Sequence, residues 1–167
     1  MTSAELLTEA FDRVRDTVHR VVDGLTAEQL AVRLGEEANS IAWLVWHLTR
    51  IQDDHIAEVA GLPQVWLEQG FVERFGLPLD PTATGYRHTS AEVAKVRVAT
   101  GELLTAYHDA VCQQTVDYVG TLVDADLPRV VDRSWDPPVT LAVRLISVIS
   151  DGLQHAGQAA FVRGLLR

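Results

Sequence analysis

The amino-acid sequence predicts an all-α protein that folds as a single four-helix bundle over residues 1–167. Apolar residues recur every three or four positions through long stretches, as they do in helices that bury one face. Capping residues precede several of these stretches, whereas no segment has the sustained alternation of a half-buried strand. A chain of this length also buries enough apolar surface to fold as one domain without disulfides.

The first helix is predicted from Thr2 to about Gly24. Thr2 and Glu5 have the spacing of a capping box, in which each side chain accepts a hydrogen bond from the other residue's backbone. Its buried face is formed by apolar residues at helical spacing: Leu7, Phe11, Val14, Val18, Val21 and Leu25. A second capping box, Thr26 and Gln29, predicts a short helical turn directly afterwards.

The second helix is predicted from Asn39 or Ser40 to Gly61, with Pro63 just beyond its end. A long connection, residues 61–88, then leads to the third helix. It contains four aromatic residues: Trp66, Phe71, Phe75 and Tyr86. A solvated linker would not carry so much apolar surface, so we expect this connection to pack over one end of the bundle as an ordered cover.

The third helix is predicted to run without a break from the capping box of Thr89 and Glu92 to about Gly120. Residues 129–136 alternate weakly between apolar and polar, which is compatible with an extended segment. Two prolines follow, and the last helix is predicted over about 139–166.

Charge and composition exclude several classes of partner. The formal net charge is −9 at pH 7, so the protein repels phosphate backbones and anionic lipids, and neither nucleic acid nor a membrane is expected as a partner. The N-terminus lacks the unbroken apolar stretch that a signal peptide has, so the cytoplasm is the default location.

The single cysteine, Cys112, forms no internal disulfide. We find no histidine or cation beside it and interpret it as inert packing.

The last helix carries the most informative polar pair. His155 lies in the middle of the apolar stripe, and Asp151 precedes it by one helical turn, so the two side chains face each other. A buried carboxylate requires a partner. Two interpretations stay open: the pair staples the core, alone or with an arginine, or it binds a metal in the bundle interior.

His47 on the second helix would complete such a metal site. It lies on a helical track that is half apolar and half acidic, which predicts a position at the edge of the buried stripe. Two histidines and one carboxylate form an open ligand set that zinc uses in catalysis and ferrous iron also accepts. Imidazole suits nickel as well, so the residues do not select the divalent metal.

These same residues resemble a known family. The segment Asp151-Gly-Leu-Gln-His155-Ala-Gly-Gln158 resembles the His-x-x-x-His-x-Gly-Gln motif of the DinB-like (damage-inducible) superfamily. Residues 42–48, Ala-Trp-Leu-Val-Trp-His-Leu, resemble the second-helix motif of that family, and helix order and spacing agree over most of the chain. The most similar branch contains the mycothiol-dependent maleylpyruvate isomerases and the mycothiol or bacillithiol S-transferases.

The resemblance implies a four-helix bundle that binds a divalent metal through His47, Asp151 and His155, most often zinc. It also implies a low-molecular-weight thiol as cosubstrate. Asp151 departs from the commonest motif, which has histidine there, although the isomerase branch has a carboxylate. Because aspartate is shorter than glutamate, metal identity and occupancy are open.

Other residues are weaker candidates. Gln158 would orient a ligand or a bound water behind His155, and Asp54 would add a ligand or accept a proton. Arg50 and Arg144 would hold an anionic substrate group, although solvent-exposed surface positions are the commoner alternative. Gly157 is expected to permit close helix approach.

Two functions therefore remain. The first is a metal-dependent enzyme that activates a thiol for transfer to an electrophile or for isomerisation. The second is a non-enzymatic, stress-related bundle that binds a partner or forms a homodimer.

Overall fold

The computed structural model describes residues 1–166, and it confirms the all-α fold. The elements in chain order are α1 (Ser3–Val22), α2 (Ala27–Leu30), α3 (Ile41–Ala60), α4 (Val65–Glu68), α5 (Phe71–Phe75), α6 (Ser90–Val93), α7 (Gly101–Val119), a 3-10 turn (Asp124–Asp126), β1 (Val130–Asp132), β2 (Val139–Thr140) and α8 (Leu141–Leu165). Among the described residues, no helix has both the length and the apolar character required to cross a membrane.

The four long helices form a ring in which α1 and α3 each contact both α7 and α8. Helix α3 is the most enclosed of the four, because every residue from Ile41 to Arg50 is buried. A bundle helix normally keeps one solvent-facing side. Here α4 and the chain that follows α5 cover that side of α3 as well.

The predicted capping residues each begin a helix, although the box at Thr89 begins only the short α6. The boxes at Thr2, Thr26 and Thr89 are all formed, with both reciprocal hydrogen bonds. The hydroxyl of Ser40 accepts a hydrogen bond from the Trp43 backbone N–H at the start of α3. Gly61 ends α3 in the left-handed conformation that glycine adopts without steric cost.

The prediction of one continuous third helix from Thr89 to Gly120 was wrong. The chain forms the single turn α6, runs irregularly over 94–100, and begins α7 at Gly101. Val96 and Val98 are both buried, and residues two apart share a face in extended chain but not in a helix. Gly101 fits closely against α1, since a Cβ there would lie 2.9 Å from the Val22 carbonyl oxygen. Core packing therefore overrides local helix propensity in this stretch.

The aromatic residues of the 61–88 connection pack largely as expected. Trp66, Phe71 and Phe75 are buried and cluster around Tyr107 of α7. Tyr86 is the exception, because it is 70% exposed. The weakly alternating segment is extended in part, since β1 pairs with β2 in a short antiparallel ladder.

Cys112 does have a histidine beside it, and the expectation of no such neighbour was wrong. His108 precedes it by one turn of α7, and its Nε2 lies 3.3 Å from Cys112 Sγ. Burial raises the pKa of the Cys112 thiol to about 12 and lowers the pKa of His108 to about 4. Both groups are neutral near pH 7, so the thiol is not a nucleophile.

We predict that acid destabilises the fold through His108. Its pKa of about 4 in the folded state lies below the ordinary value of 6.5, so the unfolded chain takes up the proton first. The free energy of unfolding is therefore unaffected by His108 above pH 6.5. As the pH falls from 6.5 toward 4, it decreases by about 1.4 kcal/mol per pH unit. Urea unfolding across this range should show a shallower loss for His108→Gln than for the wild type. Equal slopes in the two proteins would contradict the prediction.

Candidate metal centre

His47, Asp151 and His155 come together where α3 faces α8. Their candidate ligand atoms all lie within 4.8 Å of one another. Within residues 1–166 they form the one group of three or more histidine, cysteine or acidic side chains with this spacing. The ring centroids of His47 and His155 are 4.9 Å apart. The three residues that the sequence analysis grouped as candidate metal ligands therefore lie close together in the fold.

His47 is more enclosed than its helical track predicted. We expected the edge of the buried stripe, but the residue is only 6% exposed. Its ring stacks on Trp43 with centroids 4.5 Å apart, and its Nδ1 lies 2.6 Å from the backbone oxygen of Thr84. Because a carbonyl accepts only, Nδ1 carries the proton and Nε2 keeps the lone pair that a metal requires.

The α8 side of the centre is partly open to solvent. The side chains of His155 and Asp151 are 19% and 28% exposed, and His155 Nε2 lies 3.4 Å from Asp151 Oδ1. On the other side of the ring, His155 Nδ1 lies 2.8 Å from Gln158 Oε1. Gln158 thus contacts His155 through the ring nitrogen that does not face Asp151.

One oxygen of Asp151 provides the test of whether a metal fits. Oδ2 is buried and has no hydrogen-bond partner among the described residues. A buried carboxylate oxygen without a partner is costly, and a cation beside it would remove that cost. The donor set, two imidazoles and one carboxylate, matches the ligands that divalent zinc, iron and nickel accept. The residues present fit a divalent metal.

The two histidines differ electrostatically. Burial lowers the pKa of His47 and keeps it neutral, which is the form that binds metals. Burial acts in the same direction on His155, but the hydrogen bonds to Asp151 and Gln158 outweigh it and raise the pKa of His155. Without a cation, Asp151 therefore favours a proton on His155, and a metal would replace that proton.

Asp54 lies outside this group, in a neighbouring groove with a volume of about 440 Å³. The groove is lined by Ile51, Asp54, His55, Glu58, Thr84, Tyr86, Asp132, Trp135 and Arg144. Asp54 Oδ1 accepts a hydrogen bond from Gln64, and Arg144 donates to Asp132 at 2.9 Å. Thr84 connects the groove to the centre, because its carbonyl oxygen is the acceptor for His47.

The environments of two residues, Arg50 and Gly157, differ from those that the sequence predicted. Arg50, considered a surface candidate for binding an anion, is 0% exposed and pairs with Asp53. Gly157 has open space where a Cβ would be, so the expected close helix approach does not occur there. It occurs at Gly152, where a Cβ would meet Val14 at 3.3 Å.

Sequence reasoning also missed Thr84 and Gly85, which touch His47 from the 61–88 connection. Every residue has a backbone carbonyl, so the residue type of Thr84 could not indicate that its carbonyl contacts His47. Gly85 did offer a signal, because a glycine within an ordered connection often marks a close approach of the backbone.

The sequence of the chain is similar to one protein family over nearly its full length. The family model for mycothiol-S-transferases matches residues 6–167. A solved structure of a conserved protein from Enterococcus faecalis is 33% identical, and the match covers 99% of this chain and 97% of that one with a TM-score of 0.93. The comparison with curated protein sequences returned no match.

Proposed function

This chain belongs to the mycothiol-S-transferase family, and we propose that it is a metal-dependent enzyme that joins a low-molecular-weight thiol, through its sulfur, to an electrophile. The thiol would lose its proton, and the electrophile would lose its leaving group as the new bond to sulfur forms. The observation that carries the proposal is Asp151 Oδ2, which lies beside two imidazoles and has no hydrogen-bond partner within residues 1–166. We propose His47, Asp151 and His155 as the ligands and zinc as the metal, with nickel or iron as alternatives. Three protein ligands would leave a position for an exchangeable group.

A bound divalent metal would supply a positive charge that lowers the pKa of a thiol at the open position. The chain does not provide the nucleophile itself, because the pKa of its only thiol, Cys112, is about 12. The nucleophile therefore comes from a cosubstrate. The family suggests mycothiol, and a cytoplasmic location agrees with a thiol that must stay reduced.

The chain's own residues would hold the reactants. Gln158 orients His155, and the Thr84 carbonyl orients His47, so both rings are fixed before a ligand arrives. The groove beyond Thr84 would receive the body of the thiol or the electrophile, with Tyr86 and Trp135 as its exposed aromatic residues. Asp54 lies in this groove and would accept a proton there. An isomerase that uses the thiol as a cofactor would require the same site.

A second candidate function is a non-enzymatic bundle that acts as a homodimer, and the outer face of α8 supports the dimer. This face exposes five large apolar side chains: Val143, Ile146, Leu153, Phe161 and Leu165. Every other exposed residue of α8 is also uncharged. In a protein with net charge −9, an uncharged face is where two copies meet with least repulsion. A two-fold axis would pair the stripe with itself.

We predict about one divalent transition metal per chain after purification without chelator. His47→Ala and His155→Ala should each remove it, because two protein ligands bind metal far more weakly than three. Elemental analysis measures the content. At a hundredfold excess of metal over its dissociation constant, binding adds about 2.7 kcal/mol of stability, which raises the Tm by roughly 5–10 °C in the absence of chelator.

The matched control is His19→Ala, which removes an exposed histidine of α1 that pairs with Asp109 instead. This variant should keep its metal. Stoichiometric metal in a His47→Ala/His155→Ala double variant would contradict the ligand assignment.

We predict that the zinc-loaded protein conjugates mycothiol to monobromobimane faster than bacillithiol or glutathione. His47→Ala should lower the rate by roughly tenfold or more, because an unactivated thiol is mostly protonated at neutral pH. Cys112→Ala should keep the rate, since the buried thiol takes no part. A rate in His47→Ala equal to that of the wild type with every thiol would favour the non-enzymatic function.

We predict a dimer through the outer face of α8. Phe161→Arg should yield a monomer, because an unpaired charge within an apolar contact is costly to desolvate. Light scattering measures the mass. Leu6→Arg on α1, also exposed, should leave the dimer intact. A monomeric wild type would refute this part of the proposal.

A further inference from the structure

Three backbone carbonyls between Pro81 and Thr84 face three buried nitrogen donors. The pairs are Trp66 Nε1 with Pro81 O at 2.9 Å, Arg50 Nε with Ala83 O at 3.1 Å, and His47 Nδ1 with Thr84 O at 2.6 Å. No regular helix or strand holds residues 81–85, so these side-chain donors set the path of the segment. The last of the three carbonyls contacts the proposed metal ligand itself.

The donor next to His47 in this row, Arg50, is itself firmly held. Arg50 and Asp53 are both 0% exposed, with Arg50 NH1 3.6 Å from Asp53 Oδ2. Asp53 also accepts hydrogen bonds from the backbone N–H groups of Val65 and Trp66 and from the Tyr107 hydroxyl. Arg50 lies 5.3 Å from the Trp66 ring centroid as well. Movement of Arg50 would leave the buried carboxylate of Asp53 without its cation, so the ion pair restrains Arg50 even though its NH2 group has no hydrogen-bond partner among the described residues.

Gly85 lets the segment come close to His47. Its φ is +93°, a conformation that L side chains rarely adopt. A Cβ at this position would lie 2.5 Å from His47 Nδ1 and 3.1 Å from a ring carbon of Trp46. The first distance is shorter than any tolerated contact, so either the His47 ring or the segment would have to move.

We propose that residues 81–85, held by Arg50 and Trp66, position His47 for metal binding. The Thr84 carbonyl fixes the proton on Nδ1, which leaves Nε2 as the nitrogen of His47 that can bind a metal together with Asp151 and His155. Arg50 and Gly85 are positioning residues, since neither is a member of the metal-ligating group. This inference rests on the proposed metal site but concerns residues that the ligand assignment does not include.

The test compares Gly85→Ala and Arg50→Lys with a matched glycine. Arg50→Lys keeps the charge beside Asp53 but lacks the Nε donor to Ala83. Gly61→Ala is the control, because its φ is also positive, +67°, while its Cβ would meet nothing within 4 Å. It carries the backbone cost of an alanine at positive φ, without contact to His47. Thermal unfolding of each variant reports that cost separately.

Two measurements are made on each protein. Zinc affinity is obtained by competition with a chromophoric chelator, and the tautomer of His47 is obtained by nitrogen NMR of the metal-free protein. We expect Gly85→Ala to weaken zinc binding by about 10- to 100-fold and to lose the single Nδ1–H tautomer. Arg50→Lys should shift both readouts in the same direction by less, and Gly61→Ala should shift neither.

The proposal would be overturned if Gly85→Ala and Arg50→Lys both kept the zinc affinity and the His47 tautomer of the wild type. It would also be overturned if Gly61→Ala lost as much zinc affinity as Gly85→Ala. Where Gly85→Ala does not fold, Arg50→Lys decides. A wild-type protein that binds no zinc would instead refute the proposed metal site. In that case the His47 tautomer in the variants still decides whether the segment orients the ring, so the two failures are distinguishable.

Discussion

Asp53 is a fully buried carboxylate, and the arrangement around the site depends on how it is satisfied. It accepts hydrogen bonds from the start of α4 and from Tyr107 of α7, and it pairs with Arg50 on its own helix. One residue thus joins α3, α7 and the 61–88 connection. A buried charge is tolerated only with such partners, so these three parts are held in one geometry. The carbonyl that contacts His47 belongs to the same held connection.

The centre combines an enclosed side with an open side. His47 is enclosed and neutral on α3, whereas Asp151 and His155 on α8 are partly accessible to solvent. A ligand would therefore approach from the side of α8 and of the groove that Thr84 lines. The chain's own thiol lies elsewhere, protonated and packed against His108. Membership in the mycothiol-S-transferase family agrees with a nucleophile that a cosubstrate, and not the chain itself, would supply.

Local patterns predicted local structure well. Capping boxes began the helices where the sequence indicated, because a cap and its helix lie within four residues. The resemblance to the DinB-like superfamily was confirmed over residues 6–167. The continuous third helix failed at 94–100, since burial of Val96 and Val98 is a property of the assembled core. His108 beside Cys112 was visible at helical spacing and was overlooked.

The sequence by itself determined that Asp151 and His155 face each other, because the i, i+4 geometry of a helix requires it. The period of the apolar residues also indicated four long helices, and caps and a pair of prolines placed the start of three of them, but the start of α7 at Gly101 was not predicted. The helical track of His47 and the resemblance to a family had suggested it as the third member, but only the tertiary structure shows the distance that brings it to that pair, the burial of Arg50, and the contact of the Thr84 carbonyl with the His47 ring. These contacts join segments far apart in the chain. Their distances depend on how the helices pack and on where an irregular connection closes over them, and no local pattern of residues specifies either.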